Sequence, residues 1–277
     1  TKAMCIPNLM ANMPDWMLIK NIAEKHNLLI LEDSADLIGT NYNNKLSGEY
    51  SDITISSFYG AHMITCAGNG GIAVTSNKKY SEKLKLLRSW GRSSSIFDDS
   101  ESIKNRFNVY LDNIQYDAKF IFEQVGYMLE PSEIGCAYGL EQLKKLETFT
   151  KRRDEVTKKH LDFFGKYNEF FELPKMNEDA NSSWFAFPLI VKEKAPFTRT
   201  DLQIYLEERN IQTRVIFTGN IIRQPAFKGI EKKISNDGYP VADRVMSRGF
   251  LLGNHHGLTE EMINHVHDSV ETFIKKY

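Results

Sequence analysis

An apolar run that passes directly into acidic residues constrains the fold of this chain most. Residues 28–32 read LLILE, which predicts a short buried strand. Residues 15–26, DWMLIKNIAEKH, predict an amphipathic helix with Asp15 as its N-cap. Further elements are predicted downstream, namely strands at 53–59 and 71–76 and a helix at 79–89. Strands that alternate with amphipathic helices are typical of an α/β sheet, so this part of the chain predicts an α/β domain.

The pattern changes after about residue 165. One long helix or two joined helices are predicted over 132–162, where an apolar stripe faces a charged surface. The remaining predicted elements are strands at 184–191 and 213–217 and helices at 200–210 and 258–277, the last capped by Thr259. We therefore expect two domains, the remainder of a large α/β domain at 1–165 and a small α+β domain at 166–277.

Composition excludes several classes of protein. The 277 residues are 42% hydrophobic, which is enough to bury one large core or two unequal ones. A net charge of −1 argues against a protein that binds nucleic acid or a membrane surface through bulk charge. No apolar run reaches the roughly 18 residues that a membrane span requires. The three cysteines, Cys5, Cys66 and Cys136, form no CxxC pair, which favours a reducing cytoplasm.

Three polar residues follow the predicted strands of the first domain. Asp33 ends the LLILE strand, and the carboxyl ends of strands are where open α/β sheets bind ligands. Its carboxylate could pair with a cationic ring nitrogen, although a turn aspartate or helix cap is the alternative. Ser57 ends the next strand before a glycine-rich turn at 68–71, which suits either a phosphate or a plain hairpin. His62 lies between Ser57 and this glycine-rich turn, and no lysine occurs from Ser57 to Ser76.

The stretch SFYGAHMIT at 57–65, read together with Asp33, resembles the DegT/DnrJ-type sugar aminotransferases. These are fold-type I pyridoxal-phosphate enzymes that act on nucleotide sugars. The resemblance implies that Asp33 binds the pyridine nitrogen and Ser57 the cofactor phosphate, with Ser34 as a further cofactor contact. It also places His62 where the family carries the lysine that forms a Schiff base with the cofactor. It implies a fold like that of aspartate aminotransferase.

A histidine at that position is similar to the sugar 3-dehydratases of the family, as are SWFAFPL at 183–189 and TRVIFTGNIIRQPAF at 213–227. An imidazole cannot hold the cofactor as a Schiff base, but it remains a competent base near neutral pH. The resemblance implies a dehydratase, dependent on pyridoxal or pyridoxamine phosphate, that removes the C3 hydroxyl of an NDP-4-keto-6-deoxyhexose. The pathway implied is deoxysugar supply for lipopolysaccharide O-antigen. A sugar aminotransferase that uses another lysine, an inactive paralogue, and a buried structural role for His62 remain the alternatives.

Two departures from the family pattern affect these expectations. The usual turn ITxGEGG reads ITCAGNGG here, one residue longer and with Asn69 in place of glutamate. Some 3-dehydratases bind an iron–sulfur cluster through cysteines after a WGR segment, but serines follow WGR at 90–92 here. We therefore expect no iron–sulfur cluster, and by resemblance glutamate as the amino donor. The resemblance also implies a homodimer and a family segment upstream of this chain.

Polar residues of the second domain are candidates for substrate binding. They are Arg214, Asn220, Arg223 and Gln224. Arginine side chains suit nucleotide phosphates or a carboxylate, and surface ion pairing is the alternative. Glu133, in the SE pair 132–133, resembles a family pair near the site, although it could simply begin a helix. The adjacent His255 and His256 point in different directions and have no third ligand nearby, so we expect no metal site.

Overall fold

The computed structural model describes all residues from 1 to 277 and contains two compact units. The first comprises Thr1–Leu9 and Met13–Lys144, and the second comprises Met10–Asn12 and Lys145–Tyr277. The expected boundary at residue 165 lies inside the second unit, because Phe164, at the end of a helix over 146–164, packs into the core of that unit. None of the helices has both the length and the apolar character that a membrane crossing would need.

The first unit alternates strands and helices. Its strands are β1 (Ala3–Pro7), β2 (Leu29–Asp33), β3 (Asn41–Tyr42), β4 (Lys45–Leu46), β5 (Ile53–Ser57), β6 (Gly71–Val74), β7 (Val109–Leu111) and β8 (Ile114–Tyr116). Its helices are α1 (Trp16–His26), α2 (Lys78–Arg88), α3 (Ile103–Phe107) and α4 (Glu133–Leu143). The main sheet has the order β1-β2-β5-β6.

The main sheet brings the ends of β2 and β5 to one edge. β1 and β2 run parallel, as do β2 and β5, while β6 runs antiparallel to β5. Asp33 lies opposite Ile55 of β5, and Ser57 lies opposite Gly71 of β6. Parallel strands that end together create the edge where α/β sheets bind ligands, as the sequence pattern predicts.

Helix α1 forms where the sequence predicts it. The Asp15 carboxylate accepts a hydrogen bond of 2.9 Å from the Leu18 amide, which confirms the predicted N-cap. Asn27 ends the helix in the left-handed conformation, with φ of 50°. Trp16 is fully buried, and its indole nitrogen donates to the Asn8 side chain at 3.0 Å. This packing covers one face of β2, where Ile30 and Glu32 are buried.

The second unit is built on an antiparallel sheet of order β12-β13-β11-β9. Its strands are β9 (Phe171–Glu172), β10 (Ala180–Asn181), β11 (Phe187–Val191), β12 (Arg214–Val215) and β13 (Gly249–Leu252). Its helices are α5 (Leu146–Phe164), α6 (Arg199–Glu207), α7 (Pro240–Arg248) and α8 (Glu260–Ile274). The core contains Phe187 and Phe250 from the sheet and Phe164 and Phe273 from the helices, all at most 3% exposed.

Most predicted elements are confirmed, with shifted ends. The helical region 132–162 consists of two helices, α4 and α5. The predicted strand at 213–217 is only two residues long, because Phe217 has a positive φ of 41° and the chain turns away from the sheet. Several elements had no prediction, among them helix α3, the hairpin β7–β8, helix α7 and strand β13.

Candidate active site

Asp33 is fixed at the carboxyl end of β2 by its own backbone and side chain. Its carbonyl accepts from the Asn8 amide at 2.9 Å, and its carboxylate accepts from the Ala35 amide at 3.0 Å. The Ser34 amide donates to the Ile55 carbonyl at 2.8 Å, which continues the pairing of β2 with β5. Asp33 therefore forms the turn foreseen as the alternative, and this turn also holds its carboxylate at the edge of the sheet.

Ser57 and the turn after it form a compact loop. The Phe58 amide donates to the Gly70 carbonyl and the Cys66 amide donates to the Phe58 carbonyl, each at 2.9 Å. Gly70 has a φ of +141°, and a Cβ there would lie 2.9 Å from the Cys66 Cβ, so only glycine fits. The Ser57 hydroxyl accepts from the Tyr59 amide at 3.3 Å. This loop closes over the end of β5 and carries His62.

His62 lies beside two carboxylates. Its Nε2 is 3.9 Å from Oδ1 of Asp36, and the imidazole is 19% exposed. Burial lowers the pKa of His62 below its usual value, while the charge of Asp33 and a backbone hydrogen bond with Ser57 act in the opposite direction. The Tyr59 ring lies nearly edge-on to the imidazole, with 6.2 Å between the ring centroids. The structure thus brings His62, Asp33 and Ser57 together in one unit, and His62 is surrounded by polar groups.

Ser34 belongs to a buried polar network on the opposite side of β2. Its hydroxyl donates to Glu32 at 2.7 Å and accepts from the Asn8 side chain at 2.9 Å. The Ser47 hydroxyl is 3.3 Å away, and Ser34 is 1% exposed. The single proton of the Ser34 hydroxyl is therefore donated to Glu32, and its oxygen already accepts a hydrogen bond from Asn8. The geometry therefore favours a structural role for Ser34 over the expected contact with a cofactor.

The network is centred on the Glu32 carboxylate, which is 1% exposed. It accepts hydrogen bonds from five groups: the side chains of Asn8, Ser34, Ser47 and Ser51 and the amide of Gly48. A buried carboxylate is stable only when it is paired or fully hydrogen-bonded. Glu32 thereby ties the 47–51 turn to the same strand end that carries Asp33.

In the second unit, two of the predicted substrate residues bind an acidic partner. The Arg223 guanidinium forms two hydrogen bonds with Asp243 on α7, one of them from Nη2 at 2.6 Å. The Asn220 side chain donates to the same carboxylate at 2.8 Å. These contacts, Arg223 first, lower the pKa of Asp243 to about 2. The ion pair foreseen as the alternative is thus present, and it fixes the segment 220–223 to α7.

The remaining candidates lie at exposed or turn positions. Arg214 is exposed in β12 and donates to the Thr213 carbonyl at 2.7 Å. Gln224 donates to the Thr218 carbonyl at 3.0 Å. Glu133 is the first residue of α4, and Ser132 caps that helix by accepting from the Gly135 amide at 3.4 Å. The helix start foreseen for Glu133 is present, and its role at the substrate stays a prediction.

Sequence reasoning did not single out Glu32, Asp36 or Asp243. A signal existed for Glu32, since it is the acidic residue in the buried LLILE run and serines follow at 47 and 51. Asp36 lies in the same EDSAD motif as Asp33, three residues further on. No local pattern connects Asp243 with Arg223, which is 20 residues away in the chain.

Known proteins resemble this chain over nearly its whole length. "Lipopolysaccharide biosynthesis protein RfbH" of Salmonella typhimurium is 33% identical over 99% of this chain and 63% of the relative. The "dTDP-4-dehydro-2,6-dideoxy-D-glucose 3-dehydratase" of Saccharopolyspora spinosa is 33% identical over 100% of this chain and 60% of that protein. The chain therefore spans about three fifths of the length of these relatives.

Solved structures agree with the fold. The E. coli GDP-4-keto-6-deoxy-D-mannose-3-dehydratase with bound hydrated PLP matches with a TM-score of 0.82 and 27% identity, over 97% of this chain and 67% of that one. A GDP-4-keto-6-deoxymannose-3-dehydratase with a trapped PLP-glutamate geminal diamine matches with a TM-score of 0.83 and 25% identity, again over 97% and 67%. The sequence model of the DegT/DnrJ/EryC1/StrS aminotransferase family matches residues 1–271. The chain belongs to this family, and its mixed α/β fold is that of the family's pyridoxal-phosphate-dependent sugar enzymes.

Proposed function

We propose that this chain is the catalytic part of a pyridoxal-phosphate-dependent nucleotide-sugar 3-dehydratase. The observation that carries the proposal is the position of His62. It lies in the loop that follows β5, its Nε2 is 3.9 Å from Oδ1 of Asp36, and the charge of Asp33 at the end of β2 acts to raise its pKa. The names of the similar proteins support the same reaction, since two of them are 3-dehydratases of 4-keto sugars.

The chemistry of the side chains at this edge fits the cofactor. Asp33 offers a carboxylate at the strand end, and Ser57 offers a hydroxyl where β5 enters the glycine-rich loop. Asp33 would bind the pyridine nitrogen and keep it protonated, and the Ser57 hydroxyl would donate to the phosphate. When bound, the cofactor supplies an electron sink for the reaction.

His62 would move protons without binding the cofactor covalently. Burial lowers the pKa of His62, so the imidazole stays neutral and able to accept a proton at neutral pH. The imidazolium so formed can donate that proton to the C3 hydroxyl oxygen of the substrate as it departs. Expulsion of hydroxide near pH 7 without an acid is slow, so one group that serves both roles is chemically economical.

Several finer assignments belong to the same proposal. The substrate would be an NDP-4-keto-6-deoxyhexose, with glutamate as amino donor, and the relative named for lipopolysaccharide biosynthesis supports a role in deoxysugar supply. Arg214, Asn220, Arg223, Gln224 and Glu133 stay candidates for substrate binding. The expected absence of an iron–sulfur cluster and a cytoplasmic location stay predictions.

We also propose a homodimer for the intact protein. Large apolar side chains of 125–140 are strongly exposed in this chain, including Val125 at 94%, Ile134 at 81% and Leu129 at 66%. Exposed apolar side chains in such number are typical of surfaces that another polypeptide covers. Light scattering of the full-length protein should give the mass of two chains, and a monomer would contradict this part of the proposal.

Product analysis tests the reaction. The full-length protein is incubated with pyridoxal phosphate, glutamate and each of several 4-keto-6-deoxy nucleotide sugars, and the products are weighed by mass spectrometry. We expect a product that has lost the C3 hydroxyl and carries no new nitrogen. A product that has gained an amine would identify an aminotransferase, and a protein that takes up no cofactor would be an inactive paralogue.

A further inference from the structure

Asp36 places a second carboxylate against His62 from a rigid turn. The Leu37 amide donates to the Ser34 carbonyl at 3.1 Å, and the Leu37 side chain is 2% exposed. Asp36 therefore lies between an anchored residue and the strand end. Its side chain is 8% exposed, and its Oδ1 lies 3.9 Å from Nε2 of His62. A carboxylate at this distance from an imidazole, and this little exposed to solvent, favours the protonated form of the ring.

We propose that Asp36 is a positioning residue for His62, which orients the imidazole and stabilises its protonated form. The role of His62 as the base rests on the function proposed above, whereas the pairing of Asp36 with His62 does not. The distance of 3.9 Å permits an ion pair and is longer than a hydrogen bond, so the interaction is one of charge. It strengthens when the ring takes up a proton, which is the moment at which catalysis needs it.

Several groups around His62 interact with its imidazole in different ways. The charge of Asp33 and the backbone of Ser57 both act to raise the pKa of the ring, against the effect of burial. Tyr59 contributes the edge of an aromatic ring. Asp33 is the residue that we assign to the cofactor nitrogen, so in the loaded enzyme its charge is engaged there. Asp36 would then be the carboxylate whose charge remains available to the imidazole.

The direct test is the titration of His62 in the full-length protein. This chain contains seven histidines, and the signal of His62 in NMR spectra of isotope-labelled imidazole rings is identified by its loss in His62→Gln. We expect Asp36→Asn to lower the pKa of His62 by about one unit, because the carboxylate that favours the imidazolium is gone. The matched control is Asp98→Asn, which removes the same charge from an exposed position and should leave the titration unchanged.

Activity supplies the second measurement. In Asp36→Asn, the acid limb of kcat/KM should move to lower pH by the same amount as the pKa of His62, and kcat should fall by about 10-fold or more. Asp36→Glu retains a carboxylate, so its acid limb and its kcat should both lie closer to the wild-type values than those of Asp36→Asn. If Asp36→Asn does not fold, the comparison of Asp36→Glu with Asp36→Ser carries the same test.

The outcomes separate this inference from the proposed function. An unchanged His62 titration in a folded Asp36→Asn protein overturns the pairing, even if activity falls. A lowered pKa in a protein whose wild type dehydrates no 4-keto sugar supports the pairing and contradicts the proposed function. A lowered pKa with a shifted acid limb supports both.

Discussion

At the scale of single residues, the candidate site depends on how β2 ends. Asp33 and Glu32 are neighbours in the chain but point to opposite faces of the strand, as successive residues of a strand do. The one carboxylate faces the candidate cofactor site and the other is buried in the network of five donors. The buried Glu32 fixes the strand end that carries the partly buried Asp33.

Glu32→Gln tests this dependence. The amide would place an NH₂ group against donors, and at least one buried donor would lose its acceptor, so the free energy of unfolding should fall by about 1–3 kcal/mol. Urea unfolding followed by circular dichroism measures the change. The control is Glu24→Gln on the exposed side of α1, for which a change within about 0.5 kcal/mol is expected. Equal stabilities of the two variants would show that the network contributes little.

The sequence predicts Asp33, Ser57 and His62 as site residues, but it does not predict the buried hydrogen bonds that hold the end of β2 in place. Asp33, Ser57 and His62 were accessible because their spacing matches a family motif and because they end or follow apolar runs. Ser34 looked equally suited, and only the structure shows that its hydroxyl is engaged with Glu32. The hydrogen-bond partners of the buried Glu32 carboxylate lie in distant turns of the chain, so no local sequence pattern predicts them.

At the scale of elements, the loop that carries His62 rests on helix α4. A Cβ on Gly139 would lie 2.4 Å from Sγ of Cys66, and a Cβ on Gly135 would lie 3.0 Å from the Cys66 carbonyl oxygen. The loop therefore approaches the backbone of α4 more closely than any larger residue would permit. The loop that carries His62 is thus in close contact with α4 through Cys66.

Gly139→Ala should separate the loop from the helix. Alanine favours the helix by about 1 kcal/mol, but the clash with Cys66 should cost about 1–3 kcal/mol. Removal of the sulfur in Cys66→Ala should relieve that clash, so the double variant should be more stable than the sum of the single variants predicts. Thermal unfolding of the four proteins gives the coupling. Additive effects would indicate that the loop does not press on α4.

In the second unit, the buried His160 of α5 forms a pair with the partly buried His267 of α8. Nδ1 of His160 lies 3.0 Å from Nε2 of His267, and the Phe163 ring stacks on His267. Burial, followed by the charge of His267, lowers the pKa of His160 to about 4. Burial likewise lowers the pKa of His267 to about 4, opposed by Asp268 and reinforced by Lys166 and Lys159. Both rings are therefore neutral at pH 7.

This pair predicts loss of stability in acid. A histidine whose pKa is lower when folded than the usual 6.5 takes up protons on unfolding, so stability is full above about pH 6.5 and falls as the pH drops towards 4. The melting temperature should be flat between pH 7 and 8 and should decline below pH 6.5. His267→Gln should weaken that decline, whereas His26→Gln, at an exposed position, should not. If the melting temperatures of all three proteins decline equally below pH 6.5, the pair of histidines is not the cause of the acid instability.

In the whole molecule, the two compact units divide the chain between Lys144 and Lys145, whereas the sequence pattern changes after about residue 165. Strand and helix patterns distinguished the α/β part from the α+β part, because hydrophobic periodicity is local. The assignment of α5 to the second unit depends on the packing of Phe164 and on the buried Arg153, which donates to the Phe185 carbonyl at 2.8 Å. Hydrophobic periodicity does not predict such contacts, because they join segments that are distant in the sequence.

We propose above that His62 transfers protons in a site where no side chain binds the cofactor covalently. Borohydride treatment of the full-length protein loaded with pyridoxal phosphate, followed by intact-protein mass spectrometry, tests this directly. We expect no covalent adduct, cofactor that dialyses away, and an adduct that appears in His62→Lys. A cofactor-sized adduct on a lysine of the wild-type protein would contradict this role of His62 and identify an aminotransferase-like site.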